Sequence, residues 1–134
     1  ERRVPRLCLK TNESYMLNPG MPETADYLAS ICEEIVRNYD VDGISLDYIR
    51  YPEKEVKFND AATYSRYAPK GQSVASWRRD NISRCVKAVH DRVKALKPWV
   101  AISCSPVGKY DDTKRYPSGG WNAYRAVCQG VHLW

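Results

Sequence analysis

Among the residues of this chain that could carry chemistry, Asp47 is the best placed, at the end of the run Gly43-Ile44-Ser45-Leu46-Asp47-Tyr48. The run alternates as a β-strand does, with Gly43, Ser45 and Asp47 facing one way and Ile44, Leu46 and Tyr48 the other. A carboxylate on the small-residue side, near the C-terminal end of a strand, stands where parallel α/β barrels present side chains to a substrate. Arg50 and Tyr51 lie just beyond it. An arginine there binds an anionic group or holds a neighbouring carboxylate in place. The competing reading makes Asp47 a structural carboxylate paired with Arg50 or with another barrel arginine.

Elements with a regular pattern must position these residues. A short strand is expected over Pro5–Leu9, followed by a polar turn and the punctuated stretch Tyr15-Met16-Leu17-Asn18-Pro19-Gly20-Met21-Pro22. A helix should start near Pro22, since proline suits a first turn and Glu23 suits the positive end of the dipole. Tyr27, Leu28, Ile31, Cys32, Ile35, Val36 and Tyr39 then recur at helical spacing. After the strand bearing Asp47 comes a long polar connection, 49 to 73, of a length that implies function or small elements within it. A second helix is expected over Val74–Leu96, with Ile82, Cys85, Val86, Val89, Val93 and Leu96 as its apolar stripe and Pro98 as its stop. Val100–Ser105 repeats the alternation of the first catalytic-looking strand. A second long loop, Pro106–Gly120, leads to a short helix within Trp121–Gln129 and to a last strand at Val131–Trp134.

This order of strands and helices implies βαβ units and a parallel sheet. Long connections leave the strands and short ones leave the helices, the asymmetry of enzymes that build sites at the C-terminal ends of barrel strands. At 134 residues the chain forms one domain, 1–134. It holds about half of a barrel that takes roughly 250 residues when complete. The absence of a starting methionine and the terminal apolar run read as an internal piece of a longer protein. The expected fold is therefore α/β, a partial (β/α)₈ TIM-barrel fragment.

Composition narrows the classes of function. The formal charge of +5 is concentrated between Arg78 and Lys97, spread around a helix rather than along one face, so no nucleic-acid partner is expected. No apolar run is long enough for a membrane span. The five cysteines form no C-x-x-C pair and read as buried small hydrophobes; His90 and His132 read as structural. Neither metal nor cofactor is expected. A complete, doubly wound domain is a rival reading, but no G-x-G-x-x-G or P-loop pattern supports it.

The segment Asp42-Gly43-Ile44-Ser45-Leu46-Asp47-Tyr48-Ile49-Arg50-Tyr51-Pro52 resembles the signature strand of the glycosyl hydrolase-like family 10 domain. Three further stretches resemble that family in the same order: Tyr15–Pro22, Trp77-Arg78-Arg79-Asp80-Asn81-Ile82, and Lys97-Pro98-Trp99 through Ser105-Pro106-Val107-Gly108. The resemblance implies a (β/α)₈ barrel acting on an oligo- or polysaccharide, commonly exported to the periplasm or cell surface in bacterial envelope proteins. The family's signature aspartate falls on Asp47. Many members carry a second aspartate where this chain has Tyr48; others share its Asp-Tyr-Ile-Arg-Tyr-Pro.

Glycoside hydrolysis needs two carboxyl groups about 5 to 9.5 Å apart. Asp47 is the candidate catalytic residue, and Glu13, Glu53, Asp111 and Asp112 lie on loops as second carboxylates without a motif behind them. The partner can equally stand on another strand of the parent, in which case this piece alone is inactive. Arg50, Tyr51, Asn18, Tyr15, Trp77 and Ser105 are the expected sugar-cleft residues, since aromatic faces and amides suit carbohydrate. A non-catalytic carbohydrate-binding remnant is the alternative. Open sheet edges imply that the isolated piece self-associates.

Overall fold

The computed structural model describes residues 4–117 and 119–134. Its architecture is mixed α/β, with two long helices on one side of a small parallel sheet. Helix α1 is a single turn, Val4–Leu7, and β1 (Cys8–Lys10) pairs antiparallel with β2 (Tyr15–Leu17) in the register Cys8↔Leu17. The strand expected over Pro5–Leu9 is thus displaced toward the C-terminus: the chain is extended only where β2 supplies a partner for its backbone groups. Thr11 closes the hairpin. Its side-chain oxygen accepts from the N–H groups of Glu13 (3.1 Å) and Ser14 (2.9 Å).

Helix α2 (Pro22–Asn38) begins with proline in its first turn and Glu23 beside it, and Thr24 Oγ1 donates back to the Asn18 carbonyl at 2.7 Å. Strand β3 (Gly43–Leu46) follows. The long connection expected after it does carry an element of its own, α3 (Ala61–Tyr67). Helix α4 (Val74–Leu96) is capped by Ser73, whose hydroxyl accepts from the Ser76 N–H. At the other end Lys94 Nζ donates to the carbonyls of Pro98 (3.0 Å) and Val100 (2.7 Å), answering the negative end of the dipole. Strand β4 (Ala101–Cys104) then pairs parallel with β3, from Gly43↔Ala101 to Leu46↔Cys104.

Ala29, Cys32 and Val36 of α2 meet Val89 and Val93 of α4, with Val100, in one buried cluster on which Ile44, Leu46 and Ile102 rest. Each fully buried valine contributes about 1.5–3 kcal/mol of transfer free energy. The opposite face of the sheet carries Gly43, Ser45, Ala101 and Ser103, all exposed. A doubly wound domain has helices on both faces; among the described residues, only one face is covered here. Cys32, Cys85 and Cys128 are buried and Cys8 and Cys104 half-buried, all five as free thiols.

The terminal segment differs from its expectation. Within Trp121–Gln129 only Ala123–Ala126 is helical (α5), and Val131–Trp134, expected as a strand, holds a 3₁₀ turn at Val131–Leu133. Among the described residues no strand lies beside it to take up its backbone groups. Trp134 instead docks on α4, its indole N–H donating to Ser83 Oγ at 3.2 Å.

Candidate functional site

The region past the C-terminal ends of β3 and β4 is ordered by polar contacts. Strand β3 ends at Leu46, and Asp47 follows directly, exposed as Gly43 and Ser45 are. Its carboxylate accepts one hydrogen bond among the described residues, from the Tyr48 N–H at 2.9 Å. Tyr48 has φ of 52°, the left-handed region that a bulky residue seldom adopts. Such a turn is held by its surroundings. Here Arg50 N–H donates to the Tyr48 carbonyl (2.8 Å), and Tyr51 N–H donates to the Val127 carbonyl (3.0 Å).

Gln129 is central to that holding. It is fully buried, its amide NH₂ donating to the Ile49 carbonyl (3.2 Å) and its oxygen accepting from the Val107 N–H (3.0 Å). One side chain therefore ties the loop after β3 to the loop after β4. Nothing in the spacing of the sequence singled it out, because its partners lie far away along the chain.

The expected site residues divide between surface and interior. Asp47, Tyr15 (69% exposed) and Ser105 are at the surface, the last with its N–H bonded to the Leu46 carbonyl at 3.0 Å. Tyr51, Asn18 and Trp77 are buried. The Tyr51 hydroxyl accepts from Asn81 (3.2 Å), its ring meets Phe58 edge-on, and burial pushes its phenol pKa up. Asn18 donates to Thr63 Oγ1 (2.8 Å) and accepts from the Gly20 N–H (3.0 Å), so it pins the punctuated stretch before α2 to α3. Trp77 packs on Gly20, where an added Cβ would meet the indole at 2.4 Å, and makes an edge contact with Tyr64.

Beneath Tyr51 lies an ion pair between half-buried Arg78 and buried Asp60. Arg78 grips Asp60 with two hydrogen bonds, 2.9 and 2.6 Å, which raise the pKa of the guanidinium. Arg50 is paired with Glu53 at 2.8 Å rather than with Asp47. The Glu53 carboxyl is held below its ordinary pKa, first by its own backbone N–H and then by Arg50. The other loop acids are engaged as well: Asp111 with Arg125 (2.7 Å), and Asp112 with the Gly120 N–H (3.2 Å) and Lys109 (3.5 Å). Glu13 sits on the β1–β2 turn.

His90 is exposed on α4 beside Asp91, and the His132 ring meets Tyr110 at a tilt of 53° with centroids 4.0 Å apart. Among the described residues no group of three or more His, Cys, Asp or Glu is arranged to hold a metal ion, and no helix is long and apolar enough to cross a membrane. A cavity of about 800 Å³ lies elsewhere, walled by Ile102 and Cys104 of β4, Val86 of α4, and Trp134. Its walls come from the helix side of the sheet, and Asp47 does not line it. The chemistry-bearing residues belong to the strand ends instead.

Residues 4–134 match the family model described as glycosyl hydrolase-like 10. The chain is similar to the glycosyl hydrolase YngK of Bacillus subtilis (strain 168), 36% identical over 105 residues that cover 76% of this chain and 21% of that protein. It is also similar to the glycosyl hydrolase DigH of Escherichia coli (strain K12), 34% identical over 110 residues, 81% of this chain and 25% of that protein. An S-layer-related protein of Niallia circulans is 34% identical over 67 residues, 48% of this chain and 4% of that protein. The chain thus spans about a fifth to a quarter of the two hydrolases.

Proposed function

This chain belongs to the glycosyl hydrolase-like 10 family, and from that premise we propose that it is one sector of a (β/α)₈ barrel that hydrolyses glycosidic bonds in a polysaccharide or cell-envelope glycan. The observation that carries the reading is Asp47: an exposed carboxylate immediately past a parallel strand, held by a backbone N–H in a left-handed turn. Asp47 supplies one of the two carboxyl groups that flank the scissile bond. Glu53, Asp111 and Asp112 are already engaged with bases, and Glu13 lies in the turn of the antiparallel β1–β2 hairpin rather than past a parallel strand. The second carboxyl group is therefore assigned to another strand of the parent, which leaves this chain alone inactive.

The uncovered sheet face supports the barrel reading. Parallel sheets are ordinarily covered on both faces, and Gly43, Ser45, Ala101 and Ser103 suit the crowded interior of a closed barrel. Arg50, Tyr15 and Ser105 contact sugar, while Tyr51, Asn18 and Trp77 set the loops from which those contacts are made. The parent works outside the cytoplasm, at the periplasm or cell surface, where such glycans lie. In isolation the chain self-associates through its open sheet edges, which sedimentation at micromolar concentration reads directly.

Asp47→Asn in the full-length parent tests the assignment. The substitution keeps the shape of the side chain and removes its proton chemistry. Release of new reducing ends from purified cell-wall glycan should be lost, with the melting temperature within a few degrees of wild type. Unchanged turnover would reduce Asp47 to a structural role.

A further inference from the structure

Arg50 holds an unanswered hydrogen-bond donor. Its side chain is only 9% exposed, and Nη2 pairs with Glu53, yet the buried Nη1 has no hydrogen-bond partner among the described residues. Buried donors are ordinarily satisfied, and an orphan at a strand end marks a place that something else completes. Two aromatic rings flank the same guanidinium, whose central carbon lies 4.3 Å from the Tyr48 ring centroid and 5.6 Å from that of Trp121. These rings come from the loops after β3 and β4, and both are open to solvent, Tyr48 at 70% and Trp121 at 46%. Trp121 also lines a neighbouring hollow of about 130 Å³, whose other walls are Glu53, Lys54, Glu55, Gly119, Gly120 and Ala126.

We propose that Tyr48, Arg50 and Trp121 form a subsite for an uncharged sugar unit, with the two rings lying against the pyranose and Arg50 Nη1 donating to a neutral oxygen, a hydroxyl or an acetamido carbonyl. This rests on the carbohydrate reading above and adds to it a preference among glycans. Converging aromatic faces with one fixed donor are the usual composition of a small-molecule site. The preference for neutral sugar follows from charge. Glu53 already neutralises Arg50, and among the residues lining the hollow Glu55 balances Lys54. A uronate entering there would find no uncompensated cation to offset its desolvation, whereas a neutral oxygen satisfies Nη1 without that cost.

The test uses the full-length parent carrying Asp47→Asn, which leaves bound glycans uncut. It is applied to an array of neutral oligosaccharides (cello-, xylo- and chito-hexaose among them) beside oligogalacturonate and hyaluronan fragments. Neutral glycans should be retained in preference to anionic ones. Adding Trp121→Ala or Tyr48→Ala, both at exposed positions, should weaken that retention about tenfold while leaving the melting curve in place. Arg50→Lys, which keeps the charge beside Glu53 but loses the fork, should narrow the gap between neutral and anionic glycans. Preference for the uronate glycans, or indifference to both aromatic substitutions, would overturn the subsite while leaving the carbohydrate reading standing. Retention of no glycan by any variant, Asp47→Asn included, would overturn both.

Discussion

Beneath the β3–β4 sheet the buried residues are Ala29, Cys32, Val36, Val89, Val93 and Val100, an apolar cluster. Past the strand ends the buried residues include Asn18, Asp60, Thr63, Asn81, Asn122 and Gln129 beside Tyr51 and Ile82. Both regions exclude water, but they specify different things. Apolar burial is non-directional and fixes that α2 and α4 lie against the sheet. Hydrogen bonds have preferred angles and lengths, so the polar region fixes how the loops leave the sheet and where Asp47 and Arg50 stand. Stability belongs chiefly to the first region and site geometry to the second.

The hardest way to break this comparison is to strike the polar region where its stakes are highest. Arg78→Ala strands the Asp60 carboxylate, whose side chain is 5% exposed, without its bidentate partner. A buried charge that loses its partner costs about 3 kcal/mol or more, so urea unfolding should show a clearly lowered midpoint. Removing both charges, as Asp60→Leu with Arg78→Leu, should recover much of that loss, because the desolvation penalty leaves with the pair. A double variant as unstable as Arg78→Ala would mean that the pair contributes net stability, and the division of labour between the regions would fail.

The apolar region has a smaller and simpler response. Val93→Ala at a fully buried position of α4 should cost about 2 kcal/mol. It should leave the loops alone, so a glycan-binding assay on the parent should move little at temperatures where the protein is folded. If binding falls with stability instead, the loops depend on the helix layer more than their separate contacts imply.

The same division explains what could be read from the chain alone. Helix α4 was legible from Val74 to Leu96, and α2 from Pro22 to within a residue of its end, because burial on one face imposes helical spacing on the apolar residues. The alternation of Gly43–Leu46 and Ala101–Cys104 marked both parallel strands. The polar region left no such trace. Gln129 bonds to Ile49, and Asn18 to Thr63, across separations that no periodicity records. Tyr48 and Trp121 were likewise invisible as a pair, since only the fold brings their loops to one guanidinium. At the two ends, Pro5–Leu9 and Val131–Trp134 have strand-like composition, yet a strand is defined by its neighbour. Where β2 was present, Cys8–Lys10 became extended; at Val131–Leu133 the chain turned into a 3₁₀ segment.

The smallest effect is expected on the uncovered face, and there its smallness is the informative part. Ser103 on β4 is exposed and pairs in register with Ser45, on the face opposite the helices. In this 134-residue chain, Ser103→Val should change stability by no more than about 0.5 kcal/mol, the usual range for a surface substitution away from special features. In the full-length parent the outcome should differ. If the face lines the interior of a closed barrel, one methyl in place of the hydroxyl and one further methyl must fit into a packed layer, and overpacking costs about 1–3 kcal/mol. The contrast between the two measurements, one substitution in two lengths of chain, reports whether the face is covered in the whole protein. Equal and small effects in both would mean that this face stays open in the parent as well, and the barrel reading would then have to yield to an open sheet with helices on one side.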